Sequence, residues 1–159
     1  TLTCRLSGIR LSSVTDVRAG RALTAELTNE RWNQRLGYKL KVIKPKTAAR
    51  RLLRIAEKYK FTLYEYYLSD HIGHLRLANE FEKIFSELDE FLFTLLDEVD
   101  SKKMTLIICS DHGNLEDLSV KTHTLNPALT ITTGRAAKEI AECVTDITQV
   151  KEAVLNYCI

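Results

Sequence analysis

Met104-Thr105-Leu106-Ile107-Ile108-Cys109-Ser110-Asp111-His112-Gly113-Asn114 is an unbroken apolar run that ends in turn-forming and metal-ligating residue types. The apolar part has the length of a strand and predicts a central one, covered on both faces. Upstream lies the firmest helix of the chain, over 76–99. There Leu77, Phe81, Ile84, Phe85, Leu88, Leu92, Leu95, Leu96 and Val99 recur at steps of three and four. Downstream, a second short strand is predicted at 128–132, a helix from Gly134 to Cys143, and a last helix capped by Asp146 and running to Tyr157. Further upstream, the aromatic stretch Phe61-Thr62-Leu63-Tyr64-Glu65-Tyr66-Tyr67-Leu68 reads as a strand. Pro45 and Thr47 open a helix with Ala49, Leu52, Leu53 and Ala56 on one face and Arg50, Arg51, Arg54 and Lys58 solvated on the other. A short helix is expected around 24–36, capped by Thr28 or Asn29 and stopped by Gly37, while 1–23 reads as loop with a short strand. This alternation predicts an α/β domain: a largely parallel sheet with helices on both faces.

The 159 residues suit a single domain, 1–159, with a basic N-terminal segment (1–60) and a motif-bearing core (61–159). With 45% hydrophobic and 28% charged residues the composition is globular. No apolar run is long enough for a membrane span and no signal-peptide pattern is present, so a cytoplasmic location is expected. Cys4, Cys109, Cys143 and Cys158 show no C-x-x-C spacing and read as buried free thiols. Residues 1–60 carry 15 Lys/Arg against 4 Asp/Glu, whereas 61–159 carry 8 against 17. The basic segment can meet nucleic acid, a phosphorylated substrate, or the acidic remainder. Without a nucleic-acid motif or interleaved aromatics, nucleic acid is the disfavoured choice.

The histidines fall in three motifs: Asp70-His71-Ile72-Gly73-His74, Ser110-Asp111-His112-Gly113-Asn114 and Thr122-His123-Thr124. Imidazole and carboxylate together suit zinc, manganese and related ions, and no thiolate belongs to any of the three. The first two motifs each follow a predicted strand, where ligands of open α/β sheets gather. Convergence there would assemble Asp70, His74, Asp111, His112 and His123. That is too many donors for one tetrahedral ion and too few to complete two. Each residue also has a plainer reading: glycine after a strand is often only a turn, Asp70 can cap the next helix, and His123 alone would be an ordinary surface histidine. His71 is expected to point elsewhere.

Asp-x-x-Gly-His, then Ser-Asp-His-Gly-Asn, then His123-Thr124-Leu125-Asn126-Pro127, resembles the C-terminal half of the alkaline-phosphatase-like metalloenzymes. Within that superfamily it is most similar to cofactor-independent phosphoglycerate mutase and phosphopentomutase. The matched stretch runs from about Leu63 to Ile131, with an echo at Thr145-Asp146-Ile147. Thr15-Asp16-Val17-Arg18-Ala19-Gly20-Arg21 and Leu27-Thr28-Asn29 resemble uncharacterised metalloenzyme-domain proteins of the same superfamily.

The resemblance implies an alkaline-phosphatase-like fold and two divalent metal ions, Mn2+ or Zn2+, with Mg2+ a further candidate. Asp70, His74 and His123 would hold one ion, and Asp111 with His112 would contribute to the other. In the family an upstream aspartate and a nucleophilic serine or threonine complete the second site, and no counterpart is recognisable here. Cys4 and Thr15 are poor nucleophile candidates: Leu6 and Gly8 replace the proline and arginine of the sulfatase signature around Cys4, and Thr15 follows no buried strand. Arg18 and Arg21 are candidates for binding substrate phosphate, since guanidinium suits bidentate contact, though solvated or structural roles compete.

The expected protein is therefore the C-terminal part of a metal-dependent phosphotransferase or phosphohydrolase of phosphomutase type, acting on a phosphorylated small molecule. Its start at Thr1 and its half-site predict an incomplete domain that works with the remainder of a parent chain and is inactive alone. The rival expectation is a non-catalytic structural or interaction module, with self-association into a homo-oligomer through an exposed sheet edge.

Overall fold

The computed structural model describes residues 6–120 and 122–159, apart from the side chain of Ala78; Cys4 and Lys121 lie outside the described residues. Helix α1 (Val14–Arg18) replaces the predicted loop or strand. It is nucleated by a reciprocal cap in which Ser13 Oγ accepts from the Asp16 N–H while Asp16 Oδ2 accepts from the Ser13 N–H. Arg10 and Arg21 also grip the Asp16 carboxylate. Ser13, foremost, and Arg21 hold its pKa far below the ordinary carboxylate range.

Helix α2 (Glu30–Leu36) starts later than expected and ends, as predicted, at Gly37 in the left-handed conformation. Neither predicted cap serves in the usual way. The Asn29 side chain instead donates to the Lys41 carbonyl and accepts from Thr24. Buried Glu26 takes the N–H groups of Arg31 and Trp32. Burial raises the Glu26 pKa against those two hydrogen bonds.

Helix α3 (Pro45–Ala56) and helix α5 (Phe81–Glu98) pack face to face around Leu27, Ile43, Ala48, Ala49, Phe91 and Leu95. Ala48 and Ala49 are fully buried, which allows the close approach. The charged face of α3 is less solvated than predicted. Arg51 donates to the carbonyls of Val17 and Ala22, and Arg50 pairs with Glu98. Basic charge of the first segment is thus partly met by acidic charge of the second. On α5, Ile84 and Leu95 lie in the core as predicted; Phe91, outside the predicted stripe, is buried with them, whereas Phe81 and Leu96 are exposed.

The stretch 61–67 is not a strand. Its exposure alternates residue by residue, so Tyr64 and Tyr66 turn inward while Phe61, Leu63 and Tyr67 face out. The period of two expected of a strand is there, but no neighbouring strand pairs with it among the described residues. Helix α4 (Leu68–Gly73) follows directly and packs Leu68 and Ile72 against Leu77 and Ile84.

Strand β1 (Thr105–Cys109) and strand β2 (Thr130–Gly134) form a two-stranded antiparallel sheet, with Thr105 opposite Gly134 and Cys109 opposite Thr130. The pairing differs from the parallel one expected, and β1 is half-buried rather than covered on both faces. The antiparallel sense follows from the connection. Loop 110–129 leaves β1 and returns with no helix among its described residues, without the helical crossover that parallel neighbours need. Helix α6 (Ala137–Cys143) packs on the sheet and on α7 (Val150–Tyr157) through Ala136, Ile140, Ala153 and Ile107. Asp146 does cap, through a reciprocal box with Gln149, but it opens a 3-10 turn (Ile147–Gln149) that leads into α7. The three described cysteines are free, as read, yet Cys109 and Cys143 are exposed rather than buried. No helix among the described residues is long and apolar enough to cross a membrane.

Candidate metal centre

Two pieces of chain converge at the carboxyl end of β1: the short helix α4 and the long loop 110–129. Loops of that length without secondary structure in a compact domain are commonly functional. On α4, the four-residue spacing brings Asp70 and His74 to one side, with His74 Nε2 3.3 Å from Asp70 Oδ1. Asp70 is not the helix cap that its plainer reading offered. From the loop, His123 Nε2 approaches Asp70 Oδ1 at 3.5 Å and His74 Nε2 at 3.3 Å. His112 Nε2 lies 3.9 Å from Asp70 Oδ1 and 3.5 Å from Asp111 Oδ1. The imidazoles of His112 and His123 stack with centroids 3.5 Å apart.

Asp70, His74, Asp111, His112 and His123 are therefore brought together, while His71 is not part of the group. Asp111 stands at its rim with its side chain 80% exposed. Arg18 is exposed at the end of α1, and Arg21 is turned onto Asp16. Among the described residues, neither arginine pairs with a member of the histidine group.

The donor set fits a divalent ion. Asp70 Oδ1, His74 Nε2 and His123 Nε2 form a triangle with edges of 3.3, 3.3 and 3.5 Å. Ligand atoms ~2.0–2.2 Å from a tetrahedral centre stand about 3.3–3.6 Å apart. Donor atoms of Asp70, His112 and His123 also lie within 4.8 Å of one another. The two triads share Asp70 and His123, so four side chains make one continuous centre, with Asp111 beside His112 at its rim.

Reading the residues alone missed what holds this centre in register. Glu116 Oε1 accepts from the hydroxyl of Thr124 and from Asn126 Nδ2, while Oε2 accepts from the Asn114 N–H at 2.7 Å. Thr124 N in turn donates to the Gly113 carbonyl, an isolated antiparallel bridge. The carboxylate thus clamps the His112 turn to the His123 turn. A Cβ on Gly113 would lie 2.2 Å from Thr124 Oγ1 and 2.7 Å from Glu116 Oε1, so the clamp closes only around glycine. Asn114 and Asn126 stood in the motifs without a role; Glu116 carried no signal, because a lone acid three residues after a glycine is commonplace.

Thr124 first, then the backbone N–H groups of Glu116 and Asn114, lower the Glu116 pKa from 4.5 to about 2. A depressed folded-state value means a contribution to stability that is complete above pH 4.5 and is lost as pH falls towards 2. Glu116→Gln is accordingly expected to flatten this part of the acid unfolding profile, followed by circular dichroism against pH. An unchanged profile between pH 4.5 and 2 would remove the clamp from the account.

Imidazoles and carboxylates gathered at one loop rim of an α/β fold define, as a class, a protein with the donor set of a divalent-cation centre. The model of the Metalloenzyme superfamily matches residues 23–157, and the chain belongs to that superfamily. The chain is also similar to a 2,3-bisphosphoglycerate-independent phosphoglycerate mutase of Ehrlichia canis (strain Jake). The two are 31% identical over 78 residues, which are 45% of this chain and 16% of the mutase. No solved structure matches the chain.

Proposed function

We propose that this chain carries the metal-binding part of a divalent-metal-dependent phosphotransferase or phosphohydrolase of phosphomutase type. The observation that carries the reading is the Asp70–His74–His123 triangle with His112 and Asp111 beside it. Asp70, His74 and His123 would hold one ion, and His112 with Asp111 would contribute to a second. Imidazole donors favour Mn2+ or Zn2+ over Mg2+. Bound ions of this kind lower the pKa of a coordinated hydroxyl and neutralise charge on transferring phosphoryl oxygens. Asp70, shared by three imidazoles, would fix the spacing between the two positions. The Glu116 clamp would keep His112 and His123 from separating as charge moves. The relative's name makes a phosphorylated small molecule the proposed substrate class. Arg18 remains a candidate for its phosphate, and Arg21 one only by leaving Asp16. The nucleophile, the second ion's remaining ligands and a larger, mostly parallel sheet belong to the proposal for a longer protein.

The test is metal uptake by the purified chain. Elemental analysis after desalting from Mn2+ or Zn2+ is expected to show bound metal, and His74→Ala is expected to lose most of it. Equal metal content in the two proteins would defeat the reading. A second reading, an interaction module or homo-oligomer that retains the donor residues for structure alone, is favoured by the outward Phe61, Leu63 and Tyr67 of the unpaired stretch. A folded chain that takes up no metal and self-associates would select it.

A further inference from the structure

Asn114 is 6% exposed, yet its side chain makes a single hydrogen bond among the described residues: Nδ2 donates to Asp70 Oδ1 over 3.3 Å. Its Oδ1 is buried with no partner. That oxygen sits where residue 73 would carry a side chain, since a Cβ on Gly73 would fall 1.1 Å from it. Gly73 lies in α4 and has no positive φ, so backbone freedom does not explain the glycine. Room for the Asn114 amide does. Burying an unpartnered acceptor works against stability, and an apolar side chain of the same shape would avoid that loss. What the amide adds is one donor, aimed at the oxygen that His74, His123 and His112 approach at 3.3, 3.5 and 3.9 Å.

We propose that Asn114, seated over Gly73, is a positioning residue of the cation centre, holding the Asp70 carboxylate so that Oδ1 faces the three imidazoles. The carboxylate oxygen has lone pairs for both the amide and an ion, so the hydrogen bond orients Asp70 without displacing a cation. Partners of this outer kind typically contribute about 10–100-fold to metal affinity. The proposal rests on the reading of Asp70 and the histidines as ligands.

The test uses the whole chain with Mn2+ alone as probe, followed by electron paramagnetic resonance of the free ion, beside thermal unfolding of the metal-free proteins. Asn114→Leu keeps the volume and removes both polar groups. It is expected to unfold at the same or a higher temperature without metal, and to bind Mn2+ about tenfold more weakly or worse. Gly73→Ala pushes the amide away without deleting a polar atom and should weaken Mn2+ binding comparably. In Asn114→Ala the space is open, so adding Gly73→Ala should cost no further affinity. Unchanged affinity in Asn114→Leu, or additive losses in the alanine pair, overturns the positioning role. If the unaltered chain takes up no Mn2+, the ligand reading fails and takes this proposal with it. If it binds and Asn114→Leu binds equally well, only the proposal for Asn114 fails.

Discussion

Asp70→Ala is expected to leave a folded chain that no longer binds divalent metal. Asp70 Oδ1 lies within 3.9 Å of three imidazole nitrogens, so its removal strips the carboxylate common to both triads. The three imidazoles would keep only Asp111, at the rim beside His112, as a carboxylate neighbour, and the Asn114 amide would lose its acceptor. The loss of affinity should exceed the about 10–100-fold that outer-shell partners contribute. Folding should survive, because the Asp70 side chain is 32% exposed and belongs to no apolar cluster. Metal content after desalting reads the first expectation and circular dichroism the second. Stoichiometric metal in the folded variant would show that the ion, if any, sits elsewhere.

The second large effect concerns the sheet below the centre. Gly134 has φ of +107°, and a Cβ there would stand 2.0 Å from the Met104 carbonyl oxygen and 2.9 Å from Thr105 Cα. Both obstacles are backbone, and Gly134 is paired with Thr105 at the end of the ladder. A side chain at this position must therefore either strain φ or part β1 from β2. Gly134→Ala is expected to destabilise the chain by at least about 3 kcal/mol, from the combination of a forbidden φ and a backbone collision. Chemical denaturation measures it. A loss below about 1 kcal/mol would mean that the β1–β2 register is wrong. Because β1 and β2 are the two ends of loop 110–129, the same variant should loosen His112 relative to His123 and weaken metal uptake in parallel.

Much of this molecule is legible one window at a time. The stripe Ile84, Leu88 and Leu95, Pro45 at the first turn of α3, Gly37 at the end of α2 and the Asp146 box all depend on neighbours within a few positions. So does the four-residue step from Asp70 to His74, which any helical turn places on one side. The stretch 61–67 shows where that kind of reading stops. Its aromatic richness reads as a strand, but a strand is made by a partner, and no local pattern supplies one. Arg51 likewise reads as a solvated residue on a charged face until the carbonyls of Val17 and Ala22 arrive beside it.

From its residues alone, the chain was bound to have α/β character, its main helices and the identity of the five candidate donors. Only the tertiary structure decided that His123 meets His74 across 49 positions, that β2 returns antiparallel, that Glu116 bonds the Asn114 N–H, and that the Asn114 amide donates to Asp70. The physical reason is range. Helix periodicity and caps are satisfied within one or two turns, whereas the meeting of distant side chains depends on loop closure and on which backbone packs against which.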